Sequence, residues 1–196
     1  WRLVVDKRPL EWGQQWVDDE LIHANLKRAV IASEDSEFAD HGGVDWDAIE
    51  RAWERNQQAE ARAEKRNAQL AKKYKGNGTP PAVAARLVGG STITQQLAKN
   101  LFLSGERTAV RKAEEIVLTY MLQALLSKRR ILEVYLNSVE WGEGLFGAQA
   151  AARYYFRADA AKLGALQAAK LAVMLPAPKR FERRPGSAYL NDRAQT

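Results

Sequence analysis

Helical spacing dominates the hydrophobic pattern of this chain. Between Leu21 and Glu34, apolar side chains fall at Leu21, Ile22, Ala24, Leu26, Ala29, Val30 and Ile31, a loose rhythm of three to four residues that predicts a helix. Gly42-Gly43 interrupts it. Asp45 is placed to cap a second helix, with Ala48, Ile49, Ala52 and Trp53 on one face. From Gln57 to Tyr74 the pattern turns polar, with Ala59, Ala61, Ala63 and Ala68 set among charges, and Gly76 to Pro81 reads as a loop. A helix starting near Ser91, capped by Ser91 or Thr92, runs to Leu101, Phe102 and Leu103 and ends in a Ser104-Gly105 turn. Thr108 is placed to cap the next helix. Its apolar run from Ile116 to Leu126, broken by Thr119 and Gln123, is too short to span a bilayer and predicts a buried helix. Ile131 to Leu136 continues the helical pattern. Gly142, Gly144 and Gly147 mark a loop entering a helix near Ala148, with Tyr154, Tyr155 and Phe156 as core. Leu163 to Leu175 is helical until Pro176 and Pro178 stop it. Residues 1–20 are an irregular, Trp-rich approach segment. No alternating strand and no internal repeat occurs, so the fold class is mainly α.

Length and charge narrow this picture. With 196 residues, 46% of them hydrophobic, the chain suffices for one domain with a core. Its net charge of +6 favours an anionic partner: nucleic acid, anionic lipid or a phosphorylated substrate. The absence of cysteine excludes disulfide and thiolate chemistry. In the 57–75 stretch, Arg62, Lys65, Arg66, Lys72, Lys73 and Lys75 outnumber Glu60 and Glu64. Two readings stay open there: a solvated helix, or a basic face toward lipid head groups.

The densest chemistry is Gly89-Gly90-Ser91-Thr92-Ile93-Thr94-Gln95-Gln96, followed by Lys99. Glycines allow close backbone approach, while the hydroxyls and amides offer donors and acceptors. A helix starting there would present free N–H groups and Lys99 to an anion. Upstream lies Glu34-Asp35-Ser36-Glu37-Phe38-Ala39-Asp40-His41-Gly42-Gly43.

These two segments resemble the first two signature motifs, E-D-x-x-F-x-x-H-x-G and G-G-S-T-I-T-Q-Q, of the peptidoglycan glycosyltransferases of glycosyltransferase family 51. Arg111-Lys112-Ala113-Glu114-Glu115 fits the third, R-K-x-x-E. The run from Lys128 to Asn137 fits K-x-x-I-L-E-x-Y-L-N, and Gly144-Leu145-Phe146-Gly147 with the residues through Phe156 fits the fifth. The nearest likeness is to the monofunctional biosynthetic branch. The 57–88 stretch is longer than the family leads one to expect between its first two motifs. The resemblance implies a lysozyme-like globular lobe and a smaller membrane-facing lobe, about residues 44–88, within a single domain over 1–196. It also implies an N-terminal membrane helix missing from this fragment and a catalytic domain on the periplasmic side of the bacterial inner membrane.

The implied reaction joins a sugar hydroxyl to an anomeric carbon carrying a diphosphate-lipid leaving group. The hydroxyl needs a carboxylate base, whereas the diphosphate needs cations more than a proton donor. Glu34 is expected to be the base, giving inversion, and Glu115 the second essential carboxylate, ordering groups near the diphosphate directly or through a divalent cation, Mg²⁺ by its preference for hard oxygen ligands. Lys99, Arg111 and Lys112 are the expected diphosphate contacts. Ser91, Thr92, Gln95 and Gln96 are expected to bond sugar or phosphate oxygens. Asp35, Phe38, His41, Glu133 and Asn137 are assigned to shaping the site, and His23 to no role. Lipid II and the lipid-linked nascent glycan are the implied partners, with the membrane surface and, as candidates, division or cell-wall synthesis proteins. Nucleic acid is disfavoured, since Glu34 and Glu115 would repel phosphates. A lytic cleaver of finished glycan is the rival enzyme, and the basic cluster, useless to it, discriminates. No S-x-x-K or K-T-G transpeptidase motif occurs.

Overall fold

Side-chain caps start most of the helices, and the caps are where the boundaries fall. The computed structural model describes residues 13–74, 82–104 and 108–195. The expected loop at 76–81, the first twelve residues and Gly105 of the expected turn lie outside them. The chain is mainly helical and divides into two compact units: one runs to Val44 and resumes at Thr92, the other is Asp45–Ser91.

In the larger unit the helices are α1 (Ala24–Glu34), α3 (Ile93–Phe102), α4 (Ala109–Leu125), α5 (Lys128–Ser138), α6 (Ala148–Phe156), α7 (Ala165–Met174), α8 (Pro178–Glu182) and α9 (Ala188–Arg193). His23, given no role from sequence, caps α1 by accepting Asn25 N–H at its Nδ1. Thr92, Thr108, Ser127 and Ser187 cap α3, α4, α5 and α9 with their hydroxyls. α1 packs on α7, and α3 packs on both α4 and α5. Leu26, Val30, Ile93, Leu97, Ile131, Tyr135, Leu136 and Trp141 are fully buried in one continuous core. Burying such side chains contributes roughly 1.5–3 kcal/mol each. This arrangement is consistent with a lysozyme-like lobe.

Three differences from the sequence reading have physical causes. A small sheet exists: β1 (Gly13–Gln14) pairs parallel with β3 (Leu145–Phe146), which pairs antiparallel with β2 (Glu140–Gly142). Strands of two or three residues carry no readable alternation. Asn137 holds the entering chain to this region, accepting Val17 N–H and donating to Val17 O, both at 2.9 Å. Second, α4 is not a buried helix. Its buried positions are Glu115 and Thr119, whereas Val117, Tyr120, Met121 and Leu125 are exposed. Third, Tyr154 is exposed rather than core, and Tyr155 sits at the rim, donating its hydroxyl to Trp141 O.

The smaller unit is built on α2 (Trp46–Lys73), a single helix of 28 residues. Asp45 caps it as expected, accepting Ala48 N–H at 2.7 Å. Ala52 is buried, but Trp53 is exposed. The returning strand-like segment is clamped by two amides three helical turns apart. Asn56 exchanges two hydrogen bonds with the backbone of Val88, and Asn67 does the same with Val83. Gly90 rests 3.0 Å, measured from a would-be Cβ, from Ala48 O, Ile49 Cα and Ala52 Cβ, so no side chain fits there. No described helix is long and apolar enough to cross a membrane.

Candidate active site

Asp35 joins the first two motifs. It closes α1 as the residue after Glu34 and is buried. Its Oδ2 accepts the N–H of Ile93, the first residue of α3, at 2.9 Å, and its Oδ1 lies 2.8 Å from His41 Nε2. Because His41 Nδ1 accepts Gly43 N–H, Nε2 carries the proton and donates to Asp35. Thr92 then donates its hydroxyl to Gly43 O at 2.5 Å. Gly43 sits at φ +103° with Gln123 and Thr119 against the position a Cβ would take, so this turn requires glycine. Lys128 covers the turn, donating to His41 O and lying 4.7 Å over the buried Phe38 ring.

This network corrects part of the second-motif expectation. The start of α3 is not open to a ligand anion, because Asp35 already occupies it. Thr92 and Gln95 are buried and form a reciprocal capping box, Thr92 Oγ1 accepting Gln95 N–H and Gln95 Oε1 accepting Thr92 N–H. The Thr92 hydroxyl and Gln95 Oε1 thus hold the helix start, while Gln95 Nε2 is buried without a hydrogen-bond partner among the described residues. Ser91 belongs to the smaller unit.

Gln96 and Lys99, one turn apart on α3, act on Glu34 instead. Gln96 Nε2 donates to Glu34 Oε2 at 2.9 Å, and Gln96 Oε1 accepts the hydroxyl of Tyr135 on α5, also at 2.9 Å. Glu34 is thus reached by a chain of donors from the core. Burial lifts the Glu34 carboxyl above the usual carboxylate range. The Gln96 hydrogen bond opposes this, the neighbouring Asp35 charge adds to it, and the Lys99 cation opposes it. Burial, reinforced by Glu34 and Asp35, pushes the Tyr135 hydroxyl far above the ordinary tyrosine range, so it remains a donor. The fourth motif predicts a helix that supports the site, Tyr135 included; the partner of Tyr135, Gln96, is what the sequence does not show.

The third motif lies on the first turns of α4. Thr94 near the start of α3 bonds Gln123 near the end of α4 at 2.8 Å, and the two helices pack together. Glu115 is buried and gathers both cations: Lys112 Nζ at 2.5 Å and Arg111 at 3.6 Å. Arg111 Nε is buried without a hydrogen-bond acceptor among the described residues. Glu133 pairs with Arg130 at 2.8 Å, and Asn137 holds the 13–17 segment.

A carboxylate of raised proton affinity beside one cation, with two further cations on the adjoining helix, suits deprotonation of a hydroxyl and discharge of an anionic leaving group. The sequence model of a family described as Transglycosylase matches residues 6–74 and 81–196. The chain belongs to that family. It is 50% identical over 194 residues to the biosynthetic peptidoglycan transglycosylases of Burkholderia ambifaria and Burkholderia vietnamiensis, a match covering 99% of this chain and 69% of each relative. The enzyme of the same name from Bordetella pertussis is 50% identical over 186 residues, 95% of this chain and 69% of that protein. The family makes this chain a glycosyltransferase of peptidoglycan synthesis.

The described residues do not form a cage for Mg²⁺. No three His, Cys, Asp or Glu side chains among them converge on one point, and both oxygens of Glu115 face cations already.

Proposed function

We propose that this chain polymerises the glycan strand of peptidoglycan by inverting transfer, with Glu34 as general base. The observation that carries the assignment is the Glu34 carboxylate, raised in proton affinity by burial and fixed by Gln96. A base that holds its proton more tightly than a free carboxylate takes one from a sugar hydroxyl more effectively. The acceptor is the 4-hydroxyl of lipid II and the donor is the lipid-linked nascent glycan. As the hydroxyl oxygen bonds to the anomeric carbon, its proton passes to Glu34. The bond from that carbon to the diphosphate breaks, and its electron pair leaves with undecaprenyl diphosphate. The product is a β-1,4 link. Lys99, Arg111 and Lys112 stabilise the departing charge, and Glu115 holds the last two in position. Both substrates are lipid-linked, which supports action on the periplasmic face of the inner membrane, with a single N-terminal helix anchoring the full-length protein.

Incubation of the purified protein with lipid II in detergent, with products separated by size, tests this reading. Wild type should give polymer and Glu34→Gln none above background. Polymer from Glu34→Gln at the wild-type rate would overturn the assignment. Lys99→Ala should weaken use of the diphosphate-bearing donor, and unchanged donor kinetics would remove Lys99 from the site.

A further inference from the structure

α8 and α9, at the far end of the sequence from the first motif, border an open surface pocket of about 590 Å³. Lys179, Arg180, Arg183 and Arg184 line it, with Phe181, Tyr189 and Ser187, and no carboxylate does. Two features separate this cluster from an ordinary solvated charge run. Glu182, the acid inside the segment, is turned away: its Oε2 accepts the N–H of Glu143 at 2.8 Å, and its Oε1 lies against Gly142. Lys179 is held by Glu140 at 3.2 Å, but Arg183 and Arg184 meet no carboxylate among the described residues. The Phe181 and Tyr189 rings stack at 5.9 Å and 1°, giving the pocket a rigid wall, and the Arg180 guanidinium lies 5.9 Å from the Phe181 ring. Arg183 and Arg184, adjacent in the chain and exposed at this concave surface, have no carboxylate among the described residues to offset their mutual repulsion, and an anion would supply that offset. Planar guanidinium groups match the oxygens of a phosphate in paired fashion.

We propose that this pocket binds a phosphate-bearing ligand, either the head group of an anionic phospholipid or a soluble phosphate ester, with Arg183 and Arg184 as the principal contacts. The site uses none of the residues assigned to glycan polymerisation, and it stands or falls separately from that reading.

The test compares wild type with Arg183→Gln/Arg184→Gln. Arg28→Gln/Lys162→Gln, two exposed positions with no assigned role, serves as a control that loses the same charge. Glycerol 3-phosphate is titrated by calorimetry, and phosphatidylglycerol vesicles are titrated by sedimentation against phosphatidylcholine vesicles. Both arginines are exposed, so the fold should survive, which circular dichroism checks. The proposal expects at least a ten-fold loss of affinity in the pocket variant and less than three-fold in the control. Loss for both probes, or for glycerol 3-phosphate alone, supports a site for the phosphate group itself. Loss for vesicles alone supports a lipid head group as the source. Equal losses in the two variants, or none in the pocket variant, overturn it, since net charge would then explain all binding.

Discussion

Replacing Gln96 by Ala isolates what tunes the base. The Gln96 amide donates to Glu34 Oε2 and so favours the ionised carboxylate. Removing that donor leaves burial and the Asp35 charge opposed only by Lys99, and the Glu34 proton affinity rises further. A hydrogen bond to a charged group contributes about 1.5–3 kcal/mol. Glu34 is only partly buried, so water can replace some of this, and the lower figure applies. At about 1.4 kcal/mol per factor of ten, the ionised fraction on the acid side should fall about ten-fold. The assay is the initial rate of lipid II polymerisation across pH. The acid limb should move to higher pH, and activity should return toward wild type on the alkaline side. Stability should also fall by about 1–3 kcal/mol, because Tyr135, fully buried, loses its acceptor. Adding Tyr135→Phe to Gln96→Ala should restore much of that stability without restoring the acid limb. An acid limb that stays put, or a rate lowered equally at every pH, would refute the reasoning and make Gln96 a purely geometric support.

Other changes give separable outcomes. Glu34→Gln should cost about 10²–10⁴ in rate. It should also stabilise the fold near neutral pH: a carboxyl whose proton affinity is raised by folding favours the folded state below its unfolded value, and that benefit disappears as pH rises through the folded value. Melting temperatures of the variant and wild type should therefore converge toward pH 4 and separate at pH 7. Gly43→Ala forces a Cβ to 2.6 Å from Gln123 Cγ at positive φ and should cost about 1–3 kcal/mol, read as a lower denaturant midpoint. Glu115→Gln should remove the carboxylate that Lys112 and Arg111 share, lowering the polymerisation rate at saturating lipid II by more than Lys112→Ala alone. Charge reversal of Arg62, Lys65 and Arg66 should weaken attachment to anionic vesicles if α2 touches membrane, and unchanged attachment returns α2 to the solvated reading.

The chain displayed its chemistry more openly than its wiring. Glu34, Gln96 and Lys99 stood out because polar groups crowded beside glycines make poor core. Helical periodicity located α1, α3, α5 and α7 because their buried stripes are apolar. It located α4 as well, with its Thr108 cap, but misjudged the burial, because the stripe facing inward is Glu115 and Thr119 and the apolar residues face out. The Tyr135–Gln96–Glu34 chain was hidden because spacing within a helix says nothing about which residue of another helix lies opposite. The same holds for Asn56 and Asn67, which look like surface polar residues until the returning segment supplies Val88 and Val83. Thr92 and Gln95 misled for the opposite reason: groups able to bind a ligand are equally able to cap a helix.

The contacts that make Glu34 a base also set when it becomes one. Glu34 meets Gln96 across 62 residues, Asp35 meets Ile93 across 58, and Gln96 meets Tyr135 across 39. None of these contacts can form while a helix is only locally ordered, and closing such loops precedes any reward from them. A nascent chain therefore has no tuned base until α5 has been synthesised and docked. In a denaturant series, polymerising activity should fade before helical signal does, which makes turnover a stricter reporter of native packing than circular dichroism.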